Sequence, residues 1–105
     1  MKTLLNTGLK AEDIEAIKRV MQQHPGINSV ILYGSRAKGT FRPGSDIDIT
    51  LKGRSLKMAS LFKIMEQLEQ LDLPYEIDLS LYSQIENTSL LEHIERVGKV
   101  IFKGD

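Results

Sequence analysis

Residues 33–50 read YGSRAKGTFRPGSDIDIT and place a Gly-Ser pair ten residues ahead of two aspartates. Asp46 and Asp48 stand on either side of one isoleucine in DIDITLK, whose alternation of polar and apolar residues predicts a strand. Because side chains alternate across a strand, both carboxylates share one face, and the Cβ atoms of the two residues are roughly 6–7 Å apart. Like charges that close raise each other's cost of ionisation, and aspartate is a poor strand former. The pair therefore indicates a compensating role, most commonly the binding of a hard cation.

Magnesium suits such a pair, since it is typically held by one or two carboxylates together with water and substrate phosphate. Asp78 lies in YEIDLSLY, a further alternating segment that predicts a neighbouring strand. Its carboxylate would supply a third oxygen or act as a base. Two aspartates on a strand are also compatible with a solvated strand end, so the pair alone does not decide between these readings.

Gly34 and Ser35 directly follow INSVILY, a short apolar and β-branched segment that predicts another strand. A glycine at that point lets the backbone turn sharply and approach a ligand closely. The amides that follow begin a short helical turn, which favours phosphate binding, and Arg36 adds a positive charge together with Lys38 and Arg42. A plain strand-to-helix turn is the alternative. The order of residues fits neither a P-loop nor a dinucleotide-binding glycine fingerprint.

The rest of the chain alternates helices and strands, which predicts one α/β domain spanning residues 1–105 with a small sheet. The apolar faces of the strands are expected to pack under helices on one side, leaving the carboxylate faces on the open side. Ser89 with Glu92 fits a capping box for the last helix. The predicted helices cover residues 10–24, 55–71 and 89–98, and the predicted strands cover residues 27–33, 46–52, 75–82 and 99–102.

Composition limits the class of protein. The 105 residues contain 41% hydrophobic and 27% charged residues, no cysteine, and equal numbers of acidic and basic side chains. These values are typical of a globular protein that needs no disulfide, and they exclude a cysteine-based zinc site. The zero net charge argues against bulk electrostatic binding to DNA. With no apolar run of membrane-spanning length, the sequence predicts a cytoplasmic protein without membrane association.

The spacing of Gly34-Ser35 and Asp46-Ile47-Asp48 resembles the signature of the polymerase-β-like nucleotidyltransferase superfamily. In particular it is similar to the minimal nucleotidyltransferases, the small partners of HEPN-domain proteins in prokaryotic toxin–antitoxin pairs of the MntA–HepT kind. The similarity extends to the order of elements over nearly the whole chain. It implies a small mixed β-sheet with the polymerase-β-like nucleotidyltransferase fold.

The resemblance also implies an activity. Gly34 and Ser35 would hold the triphosphate of ATP, with Arg36 beside it. Asp46 and Asp48 would bind two magnesium ions, and Asp78 would complete the metal site and help deprotonate the acceptor. The reaction would transfer AMP from ATP to a hydroxyl, most directly a tyrosine of a HEPN-domain toxin, so that the chain would act as an antitoxin.

Two alternatives remain at this point: a non-catalytic module that binds nucleotide and partner, and a small-molecule nucleotidyltransferase that needs a partner subunit. The 23 residues after Tyr82 are too few for a separate acceptor-binding domain. The acceptor site is therefore expected from a protein substrate or a homo- or hetero-oligomeric partner. Neither His24 nor His93 has a neighbour at ligand spacing, and both are predicted to have structural or solvent-exposed roles.

Overall fold

The computed structural model describes residues 6–104 and contains helices and strands in the predicted order. The longest helices, α1 and α3, have 12 residues each, and no helix within the described residues is long and apolar enough to cross a membrane. A 3-10 helix follows the third strand at Tyr82–Gln84. The helices are α1 (Ala11–Gln22), α2 (Gly34–Lys38), α3 (Met58–Glu69) and α4 (Thr88–Val97), and the strands are β1 (Ser29–Tyr33), β2 (Ile47–Lys52), β3 (Ile77–Leu81) and β4 (Lys99–Lys103).

The four strands form one sheet in the order β3-β2-β1-β4. β1 pairs antiparallel with both β2 and β4, whereas β2 and β3 are parallel. Parallel neighbours need a crossover connection, and α3 supplies it between β2 and β3. The mixed α/β sheet predicted from the sequence is thus confirmed.

The main core lies between one face of the sheet and the helices α1 and α3. Alternate residues of the strands, such as Leu32 and Ile49, point into it and are fully buried. The helical spacing of three and four residues brings the apolar stripes of α1 and α3 onto the same face. Ile17, Met21 and Ile64 are the helix residues most completely enclosed there.

The other face of the sheet is not left entirely open, which corrects the prediction that the helices pack on one side. Ile31 and Tyr33 alternate with the core residues of β1 and form a second apolar cluster with Ile94 of α4. The reason is that the apolar segment of β1 has two apolar side chains on each face. Both faces therefore require cover, and α4 provides it over β1 while β2 and β3 stay uncovered by α4.

Helix α4 begins at a different cap from the one predicted. Its N-cap is Asn87, whose side-chain oxygen accepts a hydrogen bond from the Leu90 amide at 3.1 Å. Ser89 already lies inside the helix. Asparagine and serine are about equally good caps, so the choice follows from where the chain leaves the 3-10 helix.

Candidate active site

Three side chains stand in a row across neighbouring strands on the face opposite the main core. Tyr33 of β1 is the register partner of Asp48 on β2, and Asp48 is the register partner of Asp78 on β3. Register partners share one face of a sheet, with Cβ atoms about 4.5–5.5 Å apart. The parallel pairing of β2 with β3 therefore brings together two aspartates that are thirty residues apart in sequence.

Asp48 lies at the centre of this row and is half-buried. Burial raises the pKa of its carboxyl, and the negative charges of Asp78 and Asp46 raise it further. Asp46 immediately precedes β2 and is exposed, and Asp78 is exposed on β3. The arrangement concentrates negative charge, and neither of the ion pairs found within residues 6–104 involves these carboxylates. Such a set of oxygen donors fits a hard divalent cation.

The Gly34 turn packs directly against this carboxylate. Gly34 has φ +77°, in the left-handed region that favours glycine, and a Cβ atom at this position would overlap Oδ2 of Asp48. Ser35 follows as the second residue of α2 and is half-buried. The structure thus brings the predicted Gly-Ser pair and the predicted aspartates to one place.

His93 also reaches this turn, which the sequence analysis did not anticipate. Its Nε2 accepts a hydrogen bond from the Gly34 amide at 2.9 Å, and its ring stands edge-on to Tyr33 with centroids 6.1 Å apart. Burial lowers the pKa of His93, and the positive charges of Lys38 and Arg96 lower it further. A neutral imidazole is the form that can accept this bond. No local motif could have revealed the contact, since the two partners are 59 residues apart.

Arg36 points away from the carboxylate row. Its side chain is 2% exposed, its Nε and Nη2 donate to the Ser45 carbonyl at 3.1 and 3.0 Å, and its Nη1 donates to the Thr7 carbonyl at 2.7 Å. The guanidinium also lies over the rings of Phe41 and Tyr75, 5.2 and 5.0 Å from their centroids. In this conformation each of its three nitrogens donates to a backbone carbonyl, and it anchors the residue that precedes Asp46.

Hydroxyl groups form the next row of the same face. Thr50 and Ser80 are register partners, and the Ser80 hydroxyl donates to Thr50 Oγ1 at 2.9 Å. Thr50 is fully buried and in turn donates to the Ser80 carbonyl at 3.3 Å. Burial raises the pKa of the Tyr33 hydroxyl, the charges of Asp78 and Asp48 raise it further, and a hydrogen bond with Ser80 opposes the shift. These bonds tie β2 to β3 beside the carboxylates.

The carboxylates do not form a closed metal cage by themselves. Within residues 6–104 no group of three or more acidic or histidine side chains is arranged to hold a metal ion. A cavity of about 270 Å³ lies elsewhere, between α3 and β3, and none of the three aspartates lines it. The site is therefore an open, negatively charged surface beside a tight glycine turn, able to share a cation with a ligand that brings its own oxygens.

The fold and this site define a nucleotidyltransferase. Residues 15–105 match the family described as Polymerase beta, Nucleotidyltransferase, and the chain belongs to that family. The match covers both the Gly34-Ser35 turn and the three aspartates. The fold and the enzyme class expected from the sequence are thereby confirmed.

The similar proteins include a protein adenylyltransferase and solved toxin–antitoxin complexes. The chain is 28% identical over 80 residues to the probable protein adenylyltransferase MntA of Haemophilus influenzae, covering 75% of this chain and 70% of that protein. A toxin–antitoxin crystal structure with AMP-PNP aligns with a TM-score of 0.69 at 24% identity, covering 88% of this chain and 73% of the other. A chain from the solved complex of a tri-AMPylated Shewanella oneidensis HEPN toxin with MNT antitoxin aligns with a TM-score of 0.66 at 20% identity. The alignment covers 92% of this chain and 74% of the other. At these identities the structural matches establish the fold.

Proposed function

We propose that this protein is a single minimal nucleotidyltransferase domain that transfers AMP from ATP to a tyrosine hydroxyl of a HEPN-domain toxin in the cytoplasm. The register that sets Asp78 beside Asp48, with Gly34 packed against the Asp48 carboxylate, carries this proposal. The similar proteins support the choice of reaction and partner, because one is described as a protein adenylyltransferase and another is bound to an AMPylated HEPN toxin.

The nucleotide would bind with its triphosphate at Gly34 and Ser35. Asp46 and Asp48 would hold two magnesium ions, which supply neutralisation of the phosphate charge when bound. Since the described carboxylates do not enclose a cation alone, phosphate oxygens and water would complete its ligands. Magnesium and nucleotide are therefore expected to bind together rather than separately.

The transfer step needs no nucleophile from the protein. The acceptor oxygen forms a bond to the α-phosphorus of ATP while the bond from that phosphorus to the bridging oxygen breaks. Pyrophosphate leaves with the electron pair, and Asp78, which is exposed on the edge strand, takes the proton of the acceptor hydroxyl. Catalysis then consists mainly of positioning and of charge neutralisation.

Intact-mass spectrometry of a purified HEPN-domain partner, incubated with this protein, ATP and magnesium, tests the proposal. We expect the partner to gain the mass of one or more adenylyl groups and to lose its toxicity. Asp48→Asn should slow the transfer by about 100-fold or more, since it removes a carboxylate that would hold magnesium against the reacting phosphates. Glu92→Gln is the matched control, because Glu92 is an exposed carboxylate on α4 whose partner is the surface residue Arg96.

Two results would contradict the proposal. One is an unchanged partner mass under conditions in which both proteins are folded and form a complex. The other is full neutralisation of the toxin by an Asp46→Asn/Asp48→Asn double variant without any mass change. That second result would make the chain a binding module instead of an enzyme.

A further inference from the structure

We propose that His93 is a positioning residue, which holds the Gly34–Ser35 turn in the conformation that receives the triphosphate. This inference rests on the proposed function of the turn. It concerns a residue outside the signature that identifies the family, on the helix that covers the opposite face of β1 from the main core. His93 does not touch the reacting atoms in this account and acts only through Gly34.

A hydrogen bond from the turn to a side chain of α4 links the two. The Gly34 amide donates to His93 Nε2 at 2.9 Å, and the same imidazole packs edge-on against Tyr33, the residue just before the turn. His93 thus contacts both sides of the junction between β1 and α2. Gly34 has φ +77°, which residues with a side chain rarely adopt. As a glycine it also has more accessible backbone conformations than its neighbours in the junction.

A displacement of Gly34 would also reach the carboxylates. There is no room for even a Cβ atom between Gly34 and the Asp48 carboxylate, so a shift of Gly34 towards β2 would meet that carboxylate. The far side of the link is rigid, because Ile94, next to His93, is 3% exposed in the cluster with Ile31 and Tyr33. His93 therefore transmits the position of a packed helix to the phosphate-binding turn.

The charges around His93 favour the form that can accept the bond. Lys38 on α2 and Arg96 on α4 face the imidazole, and together with burial they keep its pKa below the usual value. A protonated imidazole would have no lone pair for the Gly34 amide. The surroundings of His93 therefore maintain the hydrogen bond at neutral pH.

The test compares His93→Leu, which removes the acceptor, with His93→Gln, which keeps an acceptor of similar reach. Calorimetric titration with MgATP should show binding about fivefold to tenfold weaker in His93→Leu, as expected for the loss of one hydrogen bond. In His93→Gln it should return to within about twofold of the wild-type value. His24→Leu is the matched control, because His24 also makes one side-chain hydrogen bond, from its Nε2 to Gln67 Oε1 at 2.6 Å, on the other side of the sheet.

A measurement on the unmodified protein removes any dependence on variant folding. Nitrogen-15 NMR detects scalar coupling through an N–H···N hydrogen bond, so the Gly34 amide nitrogen should couple to His93 Nε2. We expect this coupling to persist when the protein is saturated with magnesium and AMP-PNP. Its disappearance on saturation would mean that the amide is transferred to phosphate, and would overturn the positioning role.

The remaining outcomes separate this inference from the proposed function. If the wild type binds MgATP and His93→Leu binds it equally well or more tightly, His93 does not position the turn, although the nucleotide site stands. If His93→Gln is folded and binds as weakly as His93→Leu, the ring packing and not the hydrogen bond matters, and the inference is wrong. If the wild type binds no MgATP, the proposed function fails and the positioning role fails with it.

Discussion

Asp48 is the residue on which the site converges, since Tyr33, Asp78 and the Gly34 turn all adjoin it. A carboxylate placed among like charges and partly removed from water costs folding free energy. That cost is consistent with a residue kept for binding a cation rather than for stability. The stability of an Asp48 variant therefore tests whether this aspartate is kept for binding a cation.

We expect Asp48→Asn to raise the melting temperature at pH 7 in the presence of a metal chelator. The pKa of Asp48 is higher in the folded protein than in the unfolded chain. As the pH rises, the unfolded chain therefore loses this proton first. The free energy of unfolding falls between the two pKa values and stays lower above them. Asparagine removes this cost. Thermal unfolding at pH 7 and at pH 4 should show an advantage of the variant that shrinks in acid. A variant less stable than the wild type at pH 7 would contradict this account.

Arg36 can be tested in the same way. Its predicted contact with nucleotide implies that a substitution weakens ATP binding, whereas its observed contacts imply that a substitution lowers the stability of the fold. Its removal in Arg36→Ala leaves the buried Thr7 carbonyl and the partly buried Ser45 carbonyl without this donor, and we expect a loss of about 3 kcal/mol in the free energy of unfolding. Arg36→Lys should restore little, since an ammonium cannot reproduce the paired donors and the stacking.

Denaturant unfolding measures this loss, and Arg42→Ala is the control, because Arg42 is exposed in the same loop. The control should change the free energy of unfolding by no more than about 0.5 kcal/mol. If Arg36→Ala were as stable as the wild type but bound ATP poorly, Arg36 would be a nucleotide ligand as the family resemblance implied. Its packing would then have to change when ATP binds.

At the scale of elements, the junction of β1 with α2 depends on a glycine that has two separate reasons to be there. Gly34 combines a positive φ with close contact to Asp48 from the adjacent strand. Gly39, at the other end of α2, has φ +85° and nothing within 4 Å of the position of a Cβ atom. The two glycines thus share a positive φ, and only Gly34 also has a close neighbour.

We expect Gly39→Ala to cost about 1–2 kcal/mol, the strain of a left-handed residue with a side chain. Gly34→Ala should cost clearly more, because the same strain is joined by overlap with the Asp48 carboxylate. Chemical denaturation of both variants gives the comparison, and MgATP binding should be lost only in Gly34→Ala. Equal destabilisation by the two substitutions would show that contact with Asp48 is not what requires the glycine.

At the scale of the whole molecule, the position of β3 decides how an acceptor reaches the site. β3 is the edge strand, Asp78 is exposed on it, and no strand within residues 6–104 lies beyond it. The cavity between α3 and β3 is lined by residues such as Met65 and Leu73, and none of the three site aspartates lines it. The acceptor side of the site is therefore open, and a second surface has to complete it.

We expect a folded protein acceptor to be modified at least about 100-fold faster than tyrosine amide or an aminoglycoside, since only the former brings binding energy that positions its hydroxyl. Parallel assays with labelled ATP, at equal acceptor concentration, measure the difference. Rapid modification of a small acceptor by the isolated chain would contradict this expectation and would favour a small-molecule nucleotidyltransferase.

The chemistry of the site could be predicted from sequence where it depends on near neighbours. The alternation in DIDITLK places Asp48 on the other face of the strand from Ile47 and Ile49. The glycine that follows an apolar segment predicts the turn. The cap of α4 was predicted wrongly, and the packing contacts of Arg36 were not predicted. Asn87 and Ser89 are chemically similar caps, and the partners of Arg36 come from three separate segments of the chain.

The amino-acid sequence by itself determined the order of helices and strands, the faces of the strands and the spacing of the Gly-Ser pair from the aspartates. These properties follow from periods of two and 3.6 residues and from the backbone freedom of glycine, all of which act over a few residues. Only the tertiary structure decided that Asp78 stands beside Asp48, that α4 covers the other face of β1, and that His93 holds Gly34. Such contacts join residues 30 to 63 positions apart, and they depend on strand order and helix packing, which no local pattern encodes.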